Sequence, residues 1–273
     1  MKKNKASVIV IGNEKGGVGK TTCAIHSLIY LLYKGHKVAS IDLDSHQKSL
    51  TTYINNRVNY IKENKNLKLP IPKHFLVTAS QNINREIKFL QERKAFQEVI
   101  TSSLEKFDYV IIDTPGYNSY LSGYAHSYAD IIITPVNDSF IDIDVIAKYD
   151  SKEGGSKFAK SYKPSPYSQL IWEHKMQKLK RDNKQINWLI TRNRLSNLNS
   201  KNKTQVCEIL EILAKKIGFK IIPGFKERVI FKELFLKGLT LLDTKANLLK
   251  KPTISNIAAR EELKQFMNSI IVT

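Results

Sequence analysis

The chain has 273 residues, 42% of them hydrophobic, with 44 Lys and Arg against 25 Asp and Glu and a formal net charge of +19. So much apolar material excludes a disordered chain, and the basic excess favours polyanionic partners without constraining the fold. In chain order, residues 7–12 (SVIVIG) form a short apolar run that ends in a glycine-rich loop, and residues 22–33 then carry helical apolar spacing closed by Gly35. Residues 37–42, 75–79, 109–113, 131–136, 188–191 and 219–222 repeat the signature of short buried strands, separated by longer periodic segments that include 84–104, 202–217, 227–235 and 253–270. This alternation predicts an α/β fold, a mostly parallel twisted sheet with helices on both faces, over one domain spanning 1–273. The Gly-, Ser-, Lys- and Pro-rich stretch 151–166 reads as an exposed excursion rather than a domain boundary.

Several chemistries lack support. Cys23 and Cys207 have no close-spaced partner for a zinc or iron–sulfur site and read as buried, reduced thiols. The six histidines show neither metal spacing nor a nucleophile partner, and His26 on the first helix reads as packed or capped. The basic opening imitates a signal peptide, but the apolar run after it is short and meets glycines, so it reads as a strand in a cytoplasmic protein. No stretch approaches the ~18 to 20 apolar residues of a membrane span.

Residues 12–22 read Gly-Asn-Glu-Lys-Gly-Gly-Val-Gly-Lys-Thr-Thr. The ordinary phosphate-loop spacing is bent, with a further Val-Gly ahead of Lys20, yet the physics survives: the loop follows a strand and opens a helix. Its amides can face phosphate oxygens while Lys20 supplies a point charge and Thr21 a metal-binding hydroxyl.

Lys15 completes K-G-G-V-G-K-T-T, which resembles the deviant phosphate loop of the ParA/MinD class of P-loop ATPases. Asp42-Leu-Asp44 looks like the first switch of that class, and Asp113-Thr-Pro-Gly116 like its Walker B and second switch. Thr191-Arg-Asn-Arg194, with Pro223-Gly224 opposite, resembles the adenine segment. Residues 134–140 with Asp142 and Asp144, residues 192–195, 228–235 and 238–243 are similar to the MipZ subgroup, which positions the division plane in some bacteria. The resemblance implies slow, magnesium-dependent ATP hydrolysis in an ATP-bound homodimer. Gly16, Gly17, Val18, Gly19, Lys20, Thr21 and Thr22 would hold the phosphates, and Asn193 and Pro223 the base. Thr21, Asp42 and Asp113 would hold Mg2+, Asp44 would orient the attacking water, and Lys15 would reach the partner's nucleotide.

A basic set in the second half, Arg192, Arg194, Lys201, Lys203, Lys216, Lys220 and Arg228, reads either as solvated lysines of a Lys-rich chain or as a sequence-independent face for duplex DNA. Asn137-Asp138-Ser139 reads equally as a helix cap and as a subgroup-specific element. The tail of the final helix carries only Lys264 near its apolar residues and ends uncharged, which suits packing on the sheet better than the membrane binding of the MinD branch. By resemblance the partners would be a ParB-like centromere protein and the tubulin-like division protein FtsZ. The ATP dimer would inhibit FtsZ polymerisation, on the nucleoid and enriched near the poles.

Overall fold

The computed structural model describes residues 5–149, 162–194, 201–243 and 253–271. The first half runs β1 (Ser7–Ile11), α1 (Lys20–Tyr33), β2 (Val38–Asp42), α2 (Ser49–Glu63), β3 (Lys73–Leu76), α3 (Arg85–Lys106), β4 (Tyr109–Asp113), α4 (Tyr120–His126) and β5 (Ile131–Asn137). The short α5 (Phe140–Ile143), β6 (Ala147–Tyr149) and β7 (Tyr162–Pro164) lead to α6 (Pro166–Asp182) and β8 (Asn187–Asn193). The chain then forms α7 (Lys201–Leu213), β9 (Lys220–Ile222), α8 (Ile230–Leu236) and α9 (Ile254–Ile271). Seven strands make one sheet in the order β3-β2-β4-β1-β5-β8-β9, and every pairing in it is parallel.

Strand pleating separates the core into two layers. From β1, Val8 and Val10 point to a layer that holds Phe96 and Ile100 of α3 and Trp188 of β8. Ile9 and Ile11 point the other way, onto Ile25 and Leu28 of α1 and Phe266 of α9. The expected sheet with helices on both faces is therefore present.

Helices α2, α4 and α6 lie outside the helical segments read from the sequence, and the two long ones show why. In α2 the buried stripe is Leu50, Tyr53, Ile54 and Arg57, so a charged residue occupies its last position. In α6 it is Tyr167, Ser168, Ile171, His174 and Lys178, polar enough to hide the period. The start of α6 is nonetheless marked, with Pro166 at the first position and Ser165 accepting from the Ser168 amide at 3.1 Å. The expected excursion 151–166 needs correction at its end: β7 pairs antiparallel with β6 and Tyr162 is buried. The rest of that stretch, up to 161, lies outside the described residues. The third strand begins two residues earlier than expected because its register places Lys73 beside Ala39 and Leu76 beside Asp42. Cys207 is only half-buried, not buried as expected, because it sits on the helix side against the Arg192 guanidinium.

A buried ion pair ties the C-terminal region to α2. Both nitrogens at the Arg57 tip reach Asp243 at 2.8 Å, and both side chains are fully enclosed. Arg57 also donates to the carbonyls of Pro70 and Gly238, while Tyr33 and Thr240 donate to Asp243. Gly238, at φ 62°, lies so close that a Cβ there would come within 1.9 Å of the Arg57 nitrogen. Burial alone would push the Asp243 carboxyl up; the Arg57 charge and the surrounding donors outweigh it and hold it below the ordinary carboxylate value. Its contribution to stability is therefore present above the unfolded value of about 3.9 and lost as pH falls through the lower folded value. Arg57→Met should cost about 3–5 kcal/mol in urea unfolding at pH 7, because it strands a buried carboxylate. The gap from wild type should narrow as acid protonates Asp243, and equal midpoints at pH 7 would contradict the role given to the pair.

Candidate functional site

The loop between β1 and α1 is held from below and from the side. Tyr167 Oη donates to the Gly12 carbonyl at 2.8 Å, and Asn13 Nδ2 donates to the Pro135 carbonyl at 2.7 Å. Asn13 Oδ1 accepts from the Lys15 amide at 2.7 Å. Gly17 and Gly19 take φ of 75° and 91°, left-handed values that side-chain-bearing residues rarely adopt. A Cβ on Gly19 would also come within 2.7 Å of Asn193 Nδ2. The helix that follows has no side-chain cap and no acid in its first turn. Its first amides and the positive end of its dipole are thus left for an anion.

The acids opposite come from the sheet register. Asp42 at the end of β2 is the direct neighbour of Asp113 at the end of β4, and Asp113 is in turn beside Ile11. Thr21 Oγ1 donates to Asp113 Oδ2 at 2.7 Å, whereas buried Asp113 Oδ1 has no hydrogen-bond partner among the described residues. Burial, and next the Asp42 charge, push the Asp113 carboxyl up to about 7 against the opposing pull of Thr21 and Lys20. Burial also raises Asp42, although Oδ1 accepts from the Asp44 amide and Oδ2 from the Thr51 amide and hydroxyl at 2.9 and 2.8 Å. The Thr51 hydroxyl lies 3.0 Å from His74 Nε2, and His74 Nδ1 lies 2.9 Å from Ser40 Oγ. This outer layer was missed in the sequence because it comes from unpatterned positions on β2, α2 and β3. Asp44 Oδ1 accepts from the amides of His46 and Gln47 at 3.2 and 2.9 Å. Lys20 Nζ donates to the Lys15 carbonyl at 2.8 Å, and burial lowers its pKa against the attraction of Asp113 and Asp44. A crowded carboxylate pair, a neighbouring hydroxyl and an unpartnered buried oxygen form the all-oxygen donor set that suits Mg2+.

These groups open on one cleft of about 590 Å³. Gly16, Gly17, Gly19, Lys20, Thr21, Thr22, Asp44 and Asp113 are among its lining residues, as is Asn193. Val18 is buried behind the loop, and Asp42 is buried behind Asp113. The far wall is aromatic: Tyr53 from α2 with Phe225, Phe231 and Phe235; the last two fall in the 228–235 segment already singled out, whereas Tyr53 and Phe225 lie outside every motif. Gly116 presses the end of β4 onto the phosphate loop, with a notional Cβ 2.9 Å from Gly16 Cα. Pro223 lies outside the cleft lining and accepts from Thr191 Oγ1 at 2.9 Å through its carbonyl.

The family model for ATPase MipZ matches residues 7–273. The chain belongs to the MipZ family. It is 29% identical over 171 residues to the septum site-determining protein MinD of Helicobacter pylori, covering 56% of this chain and 62% of that one. It is 28% identical over 155 residues to the chromosome-partitioning ATPase Soj of Thermus thermophilus, covering 54% and 61%. These matches span about three fifths of each relative's length. The structure of apo McdA from Cyanothece has the same fold, with a TM-score of 0.59 and 20% identity over 94% of this chain and 99% of that one.

Within this MipZ-family site, Asn193 is already engaged. Its Nδ2 donates to the Val18 carbonyl at 3.0 Å and to Cys23 Sγ at 3.4 Å, and its Oδ1 accepts from the Phe225 amide at 3.3 Å. It thereby braces the loop between β1 and α1 against Phe225. Burial pushes the Cys23 thiol up to about 12, in keeping with an inert packing residue. Among the basic set, Arg192 pairs with Asp138 at 2.5 Å and Arg228 with Glu262 at 2.5 and 2.8 Å. Lys216 donates to the Tyr162 carbonyl at 2.7 Å, Lys220 is exposed, and Arg194 lines the cleft at φ 49°. Lys201 and Lys203 start α7, with side chains outside the described set. Ser139 caps α5, as the capping reading of that segment expects, and Asp138 holds Arg192. Asn193→Ala should weaken ATP and GTP binding by the same factor of about five to ten in calorimetry, since it loosens the loop rather than losing a base contact. Selective loss of ATP would instead give Asn193 a direct role on adenine.

Proposed function

We infer that this chain is a nucleotide switch that binds Mg2+ and ATP, dimerises around ATP and hydrolyses it slowly. The observation that carries this reading is the Asp42 and Asp113 pair beside Thr21 and the uncapped start of α1. Phosphates would lie on the loop amides and Lys20, and Thr21, Asp42 and Asp113 would hold Mg2+. The ion would neutralise phosphate charge there. Little covalent work falls to the protein in phosphoryl transfer to water, so its own groups act by position and charge. Asp44, turned into the cleft by the two amides it accepts from, would orient the water. Lys15 would complete the partner's site across the dimer, and Pro223 would border the base from outside the wall.

The MipZ match and the named roles of MinD and Soj support a further reading: the ATP dimer sets the position of division, binds a ParB-like centromere protein and inhibits FtsZ polymerisation. Non-specific duplex DNA would retain it on the nucleoid and leave it enriched near the poles. Of the described basic set, Arg194, Lys216 and Lys220 fit phosphate contacts better than the paired Arg192 and Arg228. No helix among the described residues is long and apolar enough to cross a membrane.

Lys20→Ala should abolish ATP binding in titration calorimetry. Asp44→Ala should bind normally but turn over at least about a hundredfold more slowly. Equal turnover by Asp44→Ala and wild type would refute the water-orienting role. With ATP, the Asp44→Ala protein at equimolar ratio should reduce the FtsZ polymer pelleted in GTP; undiminished polymer would favour a ParA-type segregation role.

A further inference from the structure

Lys15 is anchored in an unusual way. Its amide is held by Asn13 Oδ1 at 2.7 Å, and its carbonyl accepts from Lys20 Nζ at 2.8 Å, so the backbone is fixed on both sides and only the side chain can swing. That side chain forms an ion pair with Asp142 of α5. The pair is asymmetric: the Lys15 side chain is 37% exposed, whereas that of Asp142 is 3% exposed. The carboxylate is thus built into the fold, and the ammonium is the part that can leave.

The platform under Asp142 is stiff and is tied to the same loop. Ser139 caps α5, accepting from the Ile141 amide at 3.2 Å, and the Asp142 amide bonds the Ser139 carbonyl at 3.0 Å. Ile143 is fully buried behind it. The preceding strand accepts Asn13 Nδ2 at Pro135, and Asp138 at the same corner holds Arg192. The segment 135–142 therefore touches the phosphate loop twice, once through Asn13 and once through Lys15.

We propose that Asp142 is a positioning residue that parks Lys15 within its own subunit and so sets the threshold for ATP-dependent dimerisation. This rests on the cross-dimer role given to Lys15 above. One ammonium cannot neutralise its own chain's carboxylate and a second subunit's phosphate at once, so the two compete. The dimer-competent state is the fraction in which Lys15 has left Asp142, and because both subunits must reach it the apparent association constant falls with the square of that fraction. The exchange is affordable because half-exposed Lys15 gives up a partly screened interaction for a phosphate of greater charge.

The test uses the full chain. Sedimentation over a protein concentration series in Mg2+ and ATP compares wild type, Asp142→Asn and Lys15→Ala. Acetic anhydride labelling with mass spectrometry reads the Lys15 amine without nucleotide. Asp142→Asn should dimerise at roughly three- to tenfold lower protein concentration. Its Lys15 should label faster while its other lysines label as in wild type. A merely structural role for Asp142 would weaken the dimer and leave Lys15 labelling unchanged. Equal or weaker dimerisation of Asp142→Asn, with Lys15→Ala losing the dimer, overturns the parking role alone. Wild-type dimerisation by Lys15→Ala overturns the cross-dimer reading and the proposal with it. Should Asp142→Asn not fold, the wild type still decides: Lys15 must label several-fold more slowly than exposed Lys220, and equal rates overturn the proposal.

Discussion

Two carboxylates side by side at the carboxyl ends of buried parallel strands are costly, and the rest of the site is arranged around that cost. The β2–β4 register sets Asp42 against Asp113, and burial of both removes the water that would otherwise solvate them. Three donors from Asp44 and Thr51 relieve Asp42, whereas Asp113 has the Thr21 hydroxyl and the nearby charge of Lys20. Positive charge brought by a cation at this point would remove the remaining repulsion, so the empty-handed Asp113 Oδ1 makes the fold and the proposed chemistry one question.

The phosphate loop shows the complementary arrangement, an excess of unspent donors. Glycines at left-handed φ, an uncapped helix and a lysine held on a backbone carbonyl present positive groups that the fold itself does not consume. Its supports, Tyr167, the Pro135 carbonyl and Asn193, come from three distant parts of the chain and fix the backbone while leaving the Lys15 side chain to be held by Asp142. A loop held along its main chain, with one side chain in a half-exposed ion pair, suits a switch, because rearrangement of that single pair need not disturb the core.

How much of this was legible in the sequence follows from where each residue's chemistry is local. The phosphate loop, the strands around it and the strand-end aspartates were readable because continuous apolar runs ending in Gly or Asp are local patterns. Helices α2 and α6 were not, because Arg57 and Lys178 are buried through partners far away, Asp243 in one case and the 128–130 turn in the other. Arg192 and Arg228 illustrate the same limit for charge: composition counts them with the basic excess, while Asp138 and Glu262 pair them in space. Thr51 and His74 behind Asp42, and the aromatic wall opposite Asn193, required the tertiary fold to bring them together.

The measurement that bears most directly on this account is calorimetric titration of ATP with Mg2+ present and with the metal chelated, on wild type and on Asp113→Asn. The buried pair predicts at least about tenfold tighter binding with Mg2+ in wild type, a dependence that largely disappears once Asp113 can no longer carry charge. Equal affinity with and without the metal, or a full metal dependence retained in Asp113→Asn, would contradict it.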